Sequence, residues 1–188
     1  MADDSESLED ERQTELSSVA AIFPEIILDP QDPYSASIDL PVVPSDPLPV
    51  RCESAVGASV GTGQARETHY LGHLPDLRLE ITLPEGYPAS RAPNVRLSTS
   101  PSWLSGTILR LLKADGRRLW EDLGHDQVVY AYIDHLQQAS ESAFGVLGDR
   151  ECLQVSADLM ISLLDYDINA RRAAFEKETF ECGVCLGR

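Results

Sequence analysis

The 188-residue chain is short of basic residues, of cysteine and of long apolar runs. Lysine and arginine number 15 against 31 aspartates and glutamates, and the net charge of -16 disfavours direct binding to nucleic acid and to anionic membranes. No stretch approaches the ~20 apolar residues of a membrane-spanning helix. The acidic N-terminus is unlike a secretory signal. Four cysteines do not make a disulfide framework, which indicates a reducing compartment, the cytosol or the nucleus.

Apolar periodicity predicts an α+β fold. A stripe at Leu16, Val19 and Phe23 indicates a first helix, which ends at Pro24. Period-two alternation then predicts strands, and helical periodicity returns after residue 102. The predicted strands are Tyr34–Val42, Leu48–Cys52, Leu77–Leu83 and Pro93–Leu97, and the later helices follow the stripes Leu109–Leu123, Val129–Leu136 and Leu153–Ile168. We expect a four-stranded antiparallel meander sheet with helices on one face and a further helix near the C-terminus.

A dense turn signal surrounds Tyr87 and Pro88, with Pro93 shortly after. One interpretation places Tyr87 at a binding edge. The interpretation that we favour is structural: the ring packs under the turn and the hydroxyl bonds the local backbone, because the prolines already make a rigid corner.

Basic residues are concentrated on one predicted helix of this acidic chain. Arg110, Lys113 and Arg117 fall on the same helical face, and Arg118 lies beside it. A solvated helix face explains them without a function. The functional alternative is a docking patch for an acidic partner.

Cys182 and Cys185 are separated by two residues, the spacing of half a structural zinc site. The alternative is two unrelated reduced thiols. A tetrahedral site needs four protein ligands, so we expect the pair alone to hold zinc only weakly.

Other signals of chemistry are weak or missing from the sequence. We interpret His69 and His73, a loose pair at a strand entry, as solvated. The chain has no G-x-S-x-G elbow, and Gly57, Gly61 and Gly63 lack the Lys-Ser/Thr that follows in a phosphate-binding loop.

The chain resembles an RWD domain, the non-catalytic relative of ubiquitin-conjugating enzymes. The matching residues are Glu15-Leu16 through Ala21-Ile22-Phe23-Pro24, the Leu77–Leu83 strand, and Tyr87-Pro88 followed by Pro93. Ala92 stands where the family has a further proline. Residues 88 to 151 contain no cysteine, and this excludes the conjugating reaction itself.

Later segments resemble RING-between-RING E3 ubiquitin ligases of the ring finger protein 14 type, including their fungal homologues. The matching segments are Trp103-Leu104-Ser105, Leu119-Trp120-Glu121, Val128-Val129, Leu163-Leu164-Asp165-Tyr166-Asp167, and Phe180 with Cys182 and Cys185. The resemblance implies a disordered acidic tail at 1–7, an RWD domain at 8–146 with a mobile loop at 53–69, a linker helix at 150–178, and the truncated start of the first RING at 180–188.

The same resemblance implies a function. The RWD domain recruits the ligase to its target complex, and the partner that the resemblance suggests is the general-control HEAT-repeat activator at stalled ribosomes. Nuclear receptors and translation termination factors are the alternative partners of this family, and the residues do not choose between the two. The full-length protein takes ubiquitin from a conjugating enzyme onto its own cysteine and passes it to a substrate lysine. Cys182 and Cys185 are then the first two zinc ligands of a full-length protein, and no catalytic residue and no tightly bound cofactor is expected in this chain. The rival hypothesis is a stand-alone RWD adaptor without ligase activity.

Overall fold

A computed structural model describes residues 10–53, 67–148 and 150–180. Its α-helices are α1 (Glu11–Ile22), α2 (Gly106–Asp122), α3 (Val129–Glu141) and α4 (Ala157–Phe180). Its strands are β1 (Ile27–Leu28), β2 (Ser35–Val42), β3 (Leu48–Cys52), β4 (His69–Leu71), β5 (Leu74–Thr82), β6 (Asn94–Thr99) and β7 (Leu153–Val155). The predicted acidic tail, most of the predicted loop, and Cys182 with Cys185 lie outside the described residues.

The described chain divides into two compact units. The first unit holds residues 10–40, 77–98 and 105–137, and the second holds residues 41–53, 67–76, 99–104, 138–148 and 150–180. Within these ranges, no helix combines the length and the apolarity that crossing a bilayer requires.

The predicted fold class, α+β with a four-stranded sheet, is confirmed. The sheet has the order β1-β2-β5-β6, and β1 pairs antiparallel with β2. Strand β5 shows the period of two that its sequence predicts, since Leu77, Leu79 and Ile81 are buried and the residues between them are partly exposed.

One predicted strand belongs to a different sheet. Strand β3 does not join the meander; it lies in a three-stranded sheet of order β4-β3-β7. Its partner β7 is parallel, with Val50 opposite Leu153. The predicted helix at 150–178 is therefore helical only from Ala157. A strand of three residues is too short to show a periodic pattern, so the sequence does not reveal that β7 pairs with the distant β3.

Helix α2 contains a glycine that its packing explains. Ser105 caps the helix by accepting a hydrogen bond from the backbone N–H of Ile108. A Cβ atom at Gly116 would lie 3.0 Å from the ring of the fully buried Tyr132 on α3. The Tyr132 hydroxyl donates to the Leu112 carbonyl at 2.9 Å, which holds the ring against the glycine.

Helix α4 packs within the second unit. Leu163 is fully buried. The Asp167 carboxylate accepts hydrogen bonds from the backbone N–H groups of Gly72 and His73 at 3.1 and 2.9 Å. Arg171 pairs with the same carboxylate at 2.9 Å. These contacts attach α4 to the turn between β4 and β5.

A buried carboxylate lies among the elements of the first unit. Glu15 of α1 is 4% exposed, and its Oε1 accepts a hydrogen bond from the Val129 backbone N–H at 2.8 Å. The Tyr87 hydroxyl accepts from the neighbouring Val128 N–H, also at 2.8 Å. Burial raises the pKa of Glu15 even though these donors oppose the shift. Burial and the nearby Glu15 carboxylate raise the pKa of Tyr87.

The raised pKa of Glu15 predicts a specific pH dependence of stability. A carboxyl whose pKa is higher in the folded state contributes stability below its unfolded pKa, near 4.5, and loses it as the pH rises through the folded pKa. Glu15→Gln keeps an oxygen acceptor for Val129 but carries no charge. We therefore expect the difference in melting temperature, variant minus parent, to be larger at pH 8 than at pH 4.5 by about 2 °C or more.

The exposed Glu25→Gln is the matched control in these melts, because it removes the same charge from a solvated site. Its difference from the parent should stay nearly constant with pH. A Glu15→Gln difference that is equally constant would contradict the assignment of a buried carboxyl with a raised pKa.

The packing of α4 predicts different costs for two truncations on the same helix. Leu163→Ala should lower the free energy of unfolding by about 2–5 kcal/mol, because it leaves a cavity. Ile161→Ala removes a side chain that is 59% exposed and should stay within about 0.5 kcal/mol of the parent. Urea unfolding followed by tryptophan fluorescence measures both. Equal small losses would show that α4 is detached from the fold.

Candidate functional site

An open groove runs along one side of α2 in the first unit. Its volume is about 710 Å³, and its second wall is the irregular segment 84–93 with the start of β6. The described residues that line it are Pro84, Ser90, Arg91, Ala92, Pro93, Asn94, Val95, Arg110, Lys113, Ala114, Arg117 and Trp120. We call this feature the basic groove.

Two buried hydrogen bonds hold the segment that forms the second wall. The Trp120 indole N–H donates to the Pro88 carbonyl at 2.8 Å, which joins α2 to the turn. The Tyr87 hydroxyl accepts from Val128, and the ring is buried, as the structural interpretation predicted. The bonded backbone is not local, however: it lies at the start of α3, 41 residues further along the chain. Gly86, at φ +86°, makes the turn possible.

The structure places all three predicted cations on the basic groove. Arg110, Lys113 and Arg117 are exposed and line it from α2. Arg117 pairs with Glu121 one turn along the helix at 3.0 Å. Arg118, the neighbour of this set in sequence, does not line the groove and pairs with Asp115 at 2.9 Å.

A fourth cation, Arg91, comes to the groove from the opposite wall. Helical spacing could not identify it, because it follows the turn at Ser90 and belongs to no periodic element. None of the described residues that line the groove is acidic, although the chain carries a net charge of -16. The groove is therefore a local concentration of positive charge that a carboxylate-bearing ligand would complement.

The predicted turn residues contribute to the groove in different ways. Pro93 lines it directly, beside Ala92 at the position where the RWD resemblance expects another proline. Pro88 is buried and acts through its carbonyl, which accepts from Trp120. Tyr87 holds the turn from below and does not line the groove.

The remaining candidates for chemistry do not form a metal site. In the ranges that the structure describes, no group of three or more histidines, cysteines and acidic residues is arranged to hold a metal ion. Cys52 is exposed and Cys152 is buried, and both are free thiols. The solvated interpretation is wrong for His73, whose Nδ1 lies 3.5 Å from the Asp167 carboxylate.

Comparisons with known proteins agree with the fold. The model of the RWD domain family matches residues 10–140. The E3 ubiquitin-protein ligase itt1 of Schizosaccharomyces pombe is 30% identical over 175 residues, which cover 92% of this chain and 37% of that protein. The E3 ubiquitin-protein ligase RNF14 of Danio rerio is 24% identical over 159 residues, covering 65% of this chain and 34% of that protein. No solved structure matches.

The chain spans about a third of the length of these curated relatives. The family match covers most of the described residues, including α1, the Tyr87 turn and the basic groove. This chain therefore belongs to the RWD domain family.

Proposed function

We propose that this chain is the protein-interaction region of a RING-between-RING E3 ubiquitin ligase, which recruits the ligase to its target complex. The RWD match and the two relatives that are named as E3 ubiquitin-protein ligases support this proposal. The observation that carries the recruiting role is the basic groove, an acid-free set of cations on a strongly acidic chain.

Arg110, Lys113 and Arg117 form the proposed docking surface for the protein partner. Their side chains are exposed on α2 and share one groove, so one ligand can contact all three. Solubility does not account for them, because acidic residues already give the chain its net charge. Exposed charges of this kind mainly set the rate and the salt dependence of association.

The proposed activity belongs to the full-length ligase. It takes ubiquitin from a conjugating enzyme onto its own cysteine and then transfers it to a substrate lysine. Residues 88 to 151 contain no cysteine that could carry ubiquitin as it does in a conjugating enzyme. This favours a recruiting role for the RWD fold in that reaction. Cys182 and Cys185 would supply two thiolates to a structural zinc ion of the first RING, a donor type that zinc prefers.

The small number of cysteines favours a reducing compartment, the cytosol or the nucleus. The partner that the resemblance to the ring finger protein 14 type suggests is the general-control HEAT-repeat activator at stalled ribosomes. The acidic net charge favours a protein partner over direct binding to ribosomal RNA.

Reversing the charge of the groove in the full-length protein tests both parts of the proposal. The parent should form a ubiquitin adduct that reductant removes, as expected for a cysteine-linked intermediate. We measure the amount of ubiquitinated co-purifying protein divided by the amount of ubiquitin adduct. This ratio should be about tenfold lower for the variant with Arg110→Glu, Lys113→Glu and Arg117→Glu than for the parent, because the groove of the variant repels the acidic partner. Quantitative immunoblotting after reaction with activating and conjugating enzymes measures both values.

The control reverses three exposed cations outside the groove with the same change of net charge: Arg96→Glu, Arg118→Glu and Arg172→Glu. It should behave like the parent. Absence of a reducible adduct in the full-length parent would leave the stand-alone adaptor as the better description. Equal ubiquitination by the two triple variants would remove the docking role of the groove.

A further inference from the structure

We propose that the occupant of the basic groove is an extended acidic segment of the partner that also carries an apolar side chain. This inference rests on the proposed recruiting function and specifies the chemistry of the partner. The ligand is a peptide that carries carboxylates on both sides of an apolar anchor.

The positive charges surround the groove from both walls. Arg110, Lys113 and Arg117 project from α2, and Arg91 comes from the opposite segment. A carboxylate in the groove therefore meets cations on two sides and no acidic lining residue among those that the structure describes. Local attraction of this kind acts within about 10 Å at 0.1 M salt, so the distant acids of the chain are largely screened.

The cations are available to a ligand. Arg117 pairs with Glu121 at 3.0 Å, but both side chains are at least half exposed. Exposed pairs contribute only about 0–1 kcal/mol, so Arg117 can exchange Glu121 for a carboxylate of the ligand at small cost. Among the described residues, Arg110 donates to a neutral partner, the Thr107 hydroxyl, at 3.1 Å, and this bond leaves its charge uncompensated.

Half of the described residues that line the groove are apolar, and this feature distinguishes it from a simple patch of surface charge. Six of its described lining residues are proline, alanine, valine or tryptophan: Pro84, Ala92, Pro93, Val95, Ala114 and Trp120. Ligand sites combine such apolar walls with a few polar groups that fix orientation. An apolar side chain of the partner would contact these apolar residues while the flanking carboxylates reach the cations.

The shape and the net charge favour a peptide over a nucleic acid. The groove is open along the flank of a helix, and its volume of about 710 Å³ lies in the usual range of ligand sites, about 300–1,000 Å³. A nucleic acid carries a dense row of phosphates that continues beyond the groove, and the acidic residues that it approaches there, on a chain of net charge -16, repel it within the range that salt leaves unscreened. A short acidic peptide carries few charges and avoids most of this repulsion.

Fluorescence anisotropy with a synthetic probe tests the inference on this chain. The probe is a short fluorescein-labelled peptide of alternating aspartate and leucine. We expect saturable binding that the triple reversal of Arg110, Lys113 and Arg117 weakens by about tenfold or more, since three favourable charge pairs become repulsive. The reversal of Arg96, Arg118 and Arg172 should change Kd by less than about twofold, because these side chains lie outside the groove.

Further probes separate the two parts of the ligand chemistry. Replacing every leucine of the peptide by serine should weaken binding about tenfold, because the apolar anchor is lost. Lys113→Arg should keep the affinity, and Lys113→Ala should lower it a few-fold. An oligothymidylate of the same charge should bind more weakly than the acidic peptide, because it has no aliphatic side chain to bury against the apolar lining residues.

Absence of saturable binding, an unchanged Kd in the groove variant, or equal binding of the oligothymidylate would overturn the inference. A peptide of equal affinity without leucine would overturn the apolar anchor. These failures are distinct from failure of the proposed function, which is read from the ubiquitin adduct and the ubiquitination of co-purifying proteins in the full-length protein.

Discussion

The first unit depends on a buried carboxylate that caps a helix belonging to another part of the chain. Glu15 accepts a hydrogen bond from Val129, and the Tyr87 hydroxyl accepts from Val128. The first N–H groups of a helix have no acceptor within the helix, so burying the start of α3 requires partners from elsewhere. The positive end of the helix dipole also favours this acceptor. The sequence positions of Glu15 and Tyr87 thereby fix how α1 and the turn meet α3.

The basic groove follows from this constraint. With Tyr87 held under α3, the next residue, Pro88, presents its carbonyl to the Trp120 indole. That bond sets the segment 84–93 beside α2, and apolar residues of both line the groove between them. The cations on α2 and Arg91 line the same groove. A site for a charged ligand is thus built on a rigid base of buried polar contacts.

Local patterns predicted part of this arrangement, and the rest depends on contacts between distant residues. Alternation identified β5, and helical spacing placed Arg110, Lys113 and Arg117 on one face. Arg91 was missed because it lies in an irregular segment without a period. The pairing of β7 with β3 and the hydrogen bonds of Asp167 to the β4–β5 turn were missed for a related reason. A three-residue strand or a single carboxylate carries no sequence pattern that identifies its partner far away in the chain.

Amide hydrogen exchange at the start of α3 tests the central claim most directly. The first amides of a helix usually exchange readily, because they lack an intrahelical acceptor. If Glu15 and Tyr87 hold this end of α3, the amides of Val128 and Val129 should exchange only on global unfolding, with protection close to that of Leu136 in the buried middle of the helix. Exchange of these two amides at the rate of a freely solvated helix end, while Leu136 stays protected, would contradict the account.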